Sequence, residues 1–252
     1  MPRSLTNSSS ARVLLLLLVS DLLLWEEVVS VPMHAKDTDH EEVTLQELFD
    51  HAITLSQNIS DLATDMRMEF FTNDFSSKLF NKFMLRSTRD MQFMANTLNT
   101  CHTLSINTPE TIQEAKEISL DDFLKMTLSI VQAWNVPLHH LVTELSGMPG
   151  APSVILSRAK DIEAENKELL MRVKKILSKV HPGIEENVSY PLWSDLAHLQ
   201  AADEEVRMYT LYKMSYCLRV DMHTVDLYLK LLRCLHVNGD VCYSTGFGDD
   251  AK

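Results

Sequence analysis

From Leu211 to Leu232 the chain places Leu211, Met214, Leu218, Met222, Val225, Leu229 and Leu232 at steps of three and four. That spacing returns to one side of an α-helix and predicts an apolar stripe along it. Arg219, His223, Asp226, Lys230 and Arg233 repeat with the same steps, one residue over. They predict a polar stripe about 100° further round the axis. This last helix should therefore carry a core face and, beside it, a candidate recognition face.

The same period recurs upstream. Thr44 and Glu47 fit a capping box, a reciprocal pairing that opens a helix. Leu45, Leu48, Ala52, Leu55, Ile59, Leu62 and Met66 then mark an apolar face out to about Phe71, with His51, Thr54, Asn58, Asp61 and Asp65 on a neighbouring polar stripe. Residues 72–118 read as a long connection in which Phe80, Phe83, Met84, Met91, Phe93, Met94 and Leu98 predict short helical pieces packed on the rest. The irregular spacing of these methionines suits flexible core filling rather than metal or redox chemistry. A second helix should open at Ser119, with Asp122 three residues on, and keep its step through Leu124, Leu128, Val131, Trp134, Leu138, Leu141 and Leu145. Pro137 lies inside that pattern and should kink it. The run Gly147-Met148-Pro149-Gly150-Ala151-Pro152 ends it. Ser153 is the expected cap of a third helix, with Ala159, Ile162, Leu169, Val173, Ile176 and Val180 inward and His181-Pro182-Gly183 as its stop. Residues 181–202 read as loop, and the last helix should begin near Asp203. There is no internal repeat and no strand-rich section.

Connection lengths predict the topology. A helix of about 28 residues spans roughly 42 Å, so a parallel successor needs at least about a dozen extended residues to return. The first and third connections have that length, and the second does not. The expectation is an all-α, up-up-down-down four-helix bundle with two long crossover connections.

The first residues change the compartment. Arg3 and Arg12 precede a leucine-rich run, Val13 to Trp25, and Val28 and Ser30 are small residues at -3 and -1 of a cut before Val31. Residues 1–30 thus read as a secretory signal peptide, leaving 31–252 as one bundle domain. No other stretch approaches the roughly 20 apolar residues of a membrane span, so no membrane insertion is expected. The formal charge is -12, or -11 without the leader. An acidic chain without a basic patch argues against nucleic acid or an anionic membrane as partner.

Secretion also sets how the cysteines read. Four cysteines in an oxidising compartment suggest two disulfides. Cys234 and Cys242 flank the turn signal Asn238-Gly239 and pair naturally as a small terminal loop, leaving Cys101 with Cys217. No Cys-x-x-Cys pair suggests zinc, and no cofactor or metal is expected. Two sequons, Asn58-Ile59-Ser60 and Asn187-Val188-Ser189, become candidate N-glycosylation sites. An enzyme is the rival class of function. His139 and His140 are adjacent with Glu144 near, but side chains one residue apart project about 100° apart on a helix and cannot form a His-x-x-x-His metal pair. No Gly-x-Ser-x-Gly and no phosphate loop occur. We therefore read the chain as a non-enzyme.

Several motifs carry a family. Cys101-His102-Thr103 followed by Thr108-Pro109-Glu110, then Trp134-Asn135-Val136-Pro137-Leu138, Ile155-Leu156-Ser157, Tyr190-Pro191-Leu192-Trp193-Ser194, Cys217-Leu218-Arg219 and Tyr228-Leu229-Lys230-Leu231-Leu232-Arg233-Cys234 stand in order over nearly the whole mature chain. They resemble the prolactin and placental lactogen hormones. Val43-Thr44-Leu45-Gln46-Glu47-Leu48-Phe49-Asp50 and Met68-Glu69-Phe70-Phe71 look most like the rodent placental prolactin-like proteins and proliferins. The resemblance implies a secreted, monomeric hormone with a bundle of the long-chain cytokine type, acting on a single-span cytokine receptor. It implies the same pairings, Cys101–Cys217 and Cys234–Cys242. One receptor surface would use the first and last helices, with His223, Asp226, Tyr228 and Lys230 as contacts. A second would use the first and third helices, with Gly147 in its cleft.

The departures bear on the partner. No cysteine precedes Cys101, so the N-terminal disulfide of prolactin itself is missing. Two first-helix histidines of lactogenic members correspond to Gln57 and Ser60, with Asn58 between them, and two basic positions of the last helix have become Val220 and Thr224. These changes point to an alternative: a relative that does not use the prolactin receptor and acts on vascular or blood-forming cells through another.

Overall fold

The computed structural model describes residues 43–87, 101–109, 112–183 and 188–238. The expected leader, the connection residues Met91, Phe93, Met94 and Leu98, and Asn187, Gly239 and Cys242 lie outside them. Among the described residues the order is α1 (Leu45–Thr72), α2 (Asp74–Ser87), a 3-10 turn (His102–Ser105), α3 (Ile112–Glu117), α4 (Leu120–Ala133), α5 (Asn135–Gly147), α6 (Ser153–Val180), α7 (Leu196–Leu199), α8 (Glu204–Arg233) and a wide turn at Cys234–Asn238. No strand occurs among them, and the fold is all-α as the periodicity predicted.

The helix starts are chemical. Thr44 N–H donates to Glu47 Oε2 at 2.8 Å and Glu47 N–H donates to Thr44 Oγ1 at 3.2 Å, so two donors the helix cannot satisfy internally are met. These bonds hold the Glu47 carboxyl below its usual range. Ser119 Oγ accepts from Asp122 N–H at 3.2 Å and opens α4. Asp203 accepts from Glu205 N–H at 2.8 Å and opens α8. The third start differs from expectation. Pro152, not Ser153, is the cap of α6, because its carbonyl already accepts from Leu156 N–H at 3.2 Å, and Ser153 becomes the first helical residue.

Two connections hold more helix than expected. Only Asn73 separates α1 from the 14-residue α2. Phe80 of α2 is fully buried, its ring 4.7 Å from both Phe71 and Tyr212, and aromatic packing of this kind folds α2 back onto the bundle. The connection before α8 contains the short α7, anchored by buried Leu199.

Cross-helix pairs fix the directions. Arg158 meets Asp65, and Lys179 donates to the Val43 carbonyl, so α6 starts where α1 ends and the two are antiparallel. Tyr212 packs on Phe70 and Arg233 on Asp50, so α8 is antiparallel to α1. His181 meets Asp121 and Glu163 meets His139, so α4–α5 runs against α6. Phe123 packs on Tyr228 and Trp134 reaches Asp221, so it also runs against α8. These pairs give up-up-down-down. All seven apolar-stripe residues of α8 are buried, together with Leu48, Ala52, Leu55, Ile59 and Met66 of α1 and Ala159, Ile162, Leu169, Val173 and Ile176 of α6.

Pro137 acts as expected, but the break it causes lies three residues earlier. The helix is interrupted at Trp134, between α4 and α5. Proline has no N–H to give to the carbonyl four residues back, which is that of Ala133. His102 Nε2 meets that carbonyl at 3.1 Å. A carbonyl only accepts, so the ring nitrogen carries the proton. Burial pushes the His102 pKa down, and the neutral ring with its proton on Nε2 suits the bond.

Candidate functional site

The face the sequence singled out on α8 is only partly a surface. His223 is exposed and Arg219, Lys230 and Arg233 are half-buried, but Asp226 is buried. Asp226 Oδ2 accepts from Lys230 Nζ at 2.8 Å, the i,i+4 pair its spacing suggests. Its Oδ1 has no hydrogen-bond partner among the described residues. Tyr228 is half-buried, its ring 4.7 Å from Phe123 of α4 and its hydroxyl 3.4 Å from the Pro109 carbonyl. Burial raises its pKa. Asp226 and Tyr228 are thus turned toward the bundle and the incoming connection. Of the four contacts expected on α8, His223 and Lys230 present side chains outward. The exposed row they border contains Val220, 40 % exposed, and Leu227, 42 % exposed, with Thr224 between.

Helix α1 borders two different neighbours. Asp50 accepts from Arg233 Nη2 at 3.3 Å, so its row faces α8. Gln57, seven residues on, repeats that position within about 20°. The antiparallel pairs Asp50–Arg233 and Phe70–Tyr212 bring Gln57 about level with Asp226 and Ser60 about level with His223. The two positions expected to matter on α1 therefore adjoin the outward row of α8. Asn58, one residue from Gln57, is about 100° away and belongs to the other flank. It is not interposed between Gln57 and Ser60 as the linear order suggested.

Gly147 is likewise displaced from its expected place. It is the last residue of α5, exposed, whereas the α1–α6 face is carried by His51 and Asp65 of α1 and Arg158, Glu168 and Arg172 of α6. Its backbone is not in the left-handed region, unlike that of Gly150 and Gly183, and a Cβ built there meets nothing within 4 Å.

A polar junction that the periodicity did not single out ties the connection to α8. Cys101 and Cys217 form a disulfide with Cα atoms 5.6 Å apart. One turn further along α8, Asp221 Oδ2 accepts from Thr103 Oγ1 at 2.7 Å and from Trp134 Nε1 at 2.6 Å. Burial pushes the Asp221 pKa up to about 6 against the pull of these two donors. Cys101, Thr103 and Trp134 lie within sequence motifs already noted, and Asp221 is what they converge on. The second expected bond, Cys234–Cys242, extends outside the described residues.

The two adjacent histidines go to different partners. His139 Nδ1 lies 3.3 Å from Glu163, and His140 stacks on Trp193 with ring centres 5.9 Å apart. Among the described residues, no three His, Cys, Asp or Glu side chains cluster to hold a metal, and no helix is long and apolar enough to cross a membrane.

An up-up-down-down bundle with two long crossovers is the architecture of the long-chain cytokine bundles. Residues 17–242 match the model of the somatotropin hormone family, and the chain belongs to that family. It is 51% identical to mouse Prolactin-7C1 over 247 residues, 98% of each chain. It is 53% identical to mouse Prolactin-7B1 and 52% identical to rat Prolactin-7B1, each over 227 residues and 90% of each chain. The resemblance to the rodent prolactin-like proteins is borne out by these matches.

Proposed function

We propose that the protein loses residues 1–30, is secreted as a monomeric glycoprotein hormone of residues 31–252, and signals in pregnancy by binding a single-span class I cytokine receptor. The observation that supports this is the face where α1 meets α8. Exposed His223, Val220 and Leu227 with part-exposed Lys230 stand beside Gln57 and Ser60. An apolar centre with a polar rim is the composition of a protein-binding surface. The mechanism is binding without chemistry: receptor chains are engaged by a rigid helical face, and a few side chains carry most of the affinity. The test is receptor binding by wild type and a His223→Ala, Lys230→Ala double variant. We expect a loss of at least about tenfold, the scale of one lost interface anchor. Unchanged affinity, with unchanged stability, sinks the assignment of this face.

A second reading concerns which receptor. Val220 and Thr224 stand where the resemblance expects cations, and Val220 is exposed, so the outer row is more apolar than a lactogenic one. This favours a receptor other than prolactin's, on vascular or blood-forming cells. Growth of prolactin-receptor-dependent cells discriminates: no response from wild type, and a gain from Val220→Lys with Thr224→Lys, support the second reading. A full response from wild type removes it.

A further inference from the structure

His51, Asn58 and Asp65 stand seven residues apart on α1. Seven residues are two turns less about 20°, so the three form one row. Both ends of that row are tied to α6. His51 Nε2 lies 3.6 Å from Glu168 Oε1, which also accepts from Arg172 Nη2 at 2.9 Å, and Asp65 Oδ2 lies 3.1 Å from Arg158 Nη2. Asn58, midway, therefore overlies the α1–α6 seam. With the helices antiparallel, the Arg158–Asp65 and Lys179–Val43 pairs set Asn58 level with Glu165.

The residues around Asn58 suit attachment of a sugar. Asn58 is exposed, while Ile59 is fully buried and Ser60 is half-buried. The sequon is thus held in a fixed helical backbone with its asparagine outward, and a substituent there displaces nothing from the core. The seam beneath is rich in acceptors. Asp161, Glu165 and Glu168 line its α6 side, and burial together with the other two carboxylates pushes the Glu165 pKa up. An added neutral sugar, with amide and hydroxyl donors, meets acceptors there and brings no further charge. Gln57 and Ser60, on the flank that adjoins α8, lie about 100° and 160° round the axis from Asn58.

We propose that Asn58 carries an N-linked glycan whose first sugars lie over the α1–α6 seam, closing that seam to protein partners and leaving the α1–α8 face open. The second half of this statement rests on the receptor reading above. With the glycan in place a receptor chain can dock at α8, and any second chain must be engaged away from the α1–α6 seam.

The test needs no receptor, so it stands or falls apart from that reading. Wild type, Asn58→Gln and Ser60→Ala are secreted from mammalian cells, and wild type is also treated with peptide N-glycosidase without denaturation. Mass spectrometry reads occupancy of Asn58, and hydroxyl-radical footprinting reads side-chain accessibility. We expect occupied Asn58 in wild type, and severalfold greater labelling of His51 and Arg158 once the glycan is absent. His223 and Leu227 of α8 should label equally in every form. An unoccupied Asn58, unchanged labelling at His51 and Arg158, or an equal rise at His223 and Leu227 overturns the proposal. If either variant fails to be secreted, the enzymatically deglycosylated wild type supplies the same comparison. A failed growth or binding assay beside a positive footprint would remove the receptor reading and leave the glycan's placement standing.

Discussion

Asp221 is a buried carboxylate held between two opposing influences. Its folded pKa of about 6 lies above the ordinary 3.8 because burial outweighs the donations from Thr103 and Trp134. The native state therefore holds this proton more tightly than the unfolded chain. The contribution of Asp221 to stability is fully present below about pH 4, falls as pH rises toward 6, and stays lost above it. Discounted for its remaining exposure, the span is about 2 kcal/mol. Asp221→Asn keeps an oxygen for both donors and removes the titration. Denaturant unfolding at pH 4 and pH 7 should show the variant gaining about 2 kcal/mol relative to wild type at the higher pH. Equal differences at both pH values would contradict the assignment. Nothing in the sequence marked this residue, because its partners lie 118 and 87 positions away and only the folded chain brings them together. Glycines show the same limit. Gly147→Ala meets open space at an ordinary helical backbone and should stabilise by about 0.5–1 kcal/mol, whereas Gly183, at φ 89°, should lose stability on the same change. Thermal melts of the two variants, shifting in opposite directions, check this.

At the scale of elements, periodicity was legible wherever one face is buried. The apolar stripes of α1, α6 and α8 were read nearly residue for residue, since a period of 3.6 against a core leaves few alternatives. The ends and the polar stripes were less legible. Asp226 follows the polar period and is nevertheless buried, because the flank of α8 where it lies is covered by neighbouring elements. The α4–α5 break shows how a local rule needs a distant partner. Pro137 frees the Ala133 carbonyl, and His102, brought in by the connection after α2, fills the vacancy. His102→Ala should cost about 1–3 kcal/mol by leaving that carbonyl unmet. In a Pro137→Ala background the restored N–H competes for the same carbonyl, so the cost of His102→Ala should shrink. A double-mutant cycle by urea unfolding measures the coupling, and additive effects would mean that His102 stabilises by ring packing on Trp134 instead.

The whole molecule depends on how its first long crossover is fastened. Connection lengths alone gave the up-up-down-down order, because a chain cannot return 40 Å in about six residues. They did not say which flank of α1 faces α6 and which faces α8, and that distinction separates Gln57 from Asn58. Between α2 and α3 the described crossover residues are held to the bundle by Tyr228 at Pro109 and, most densely, at residues 101–103. There the Cys101–Cys217 bond, the Thr103–Asp221 bond and the His102–Ala133 bond come within three consecutive residues. The bridge closes a loop of 116 residues, long enough that its loss should cost toward the upper part of the usual 2–5 kcal/mol. The hydrogen bonds beside it decide what the loss looks like. If they hold the crossover without the sulfurs, a Cys101→Ser, Cys217→Ser variant unfolds at lower urea with an unchanged slope, and amide exchange near Thr103 stays slow. This is the outcome we expect, because Trp134 and Thr103 grip Asp221 independently of the disulfide. Rapid exchange at Thr103 with α8 still protected would show that the bridge itself seats the crossover, and that Tyr228, which leans on Pro109, loses its support with it.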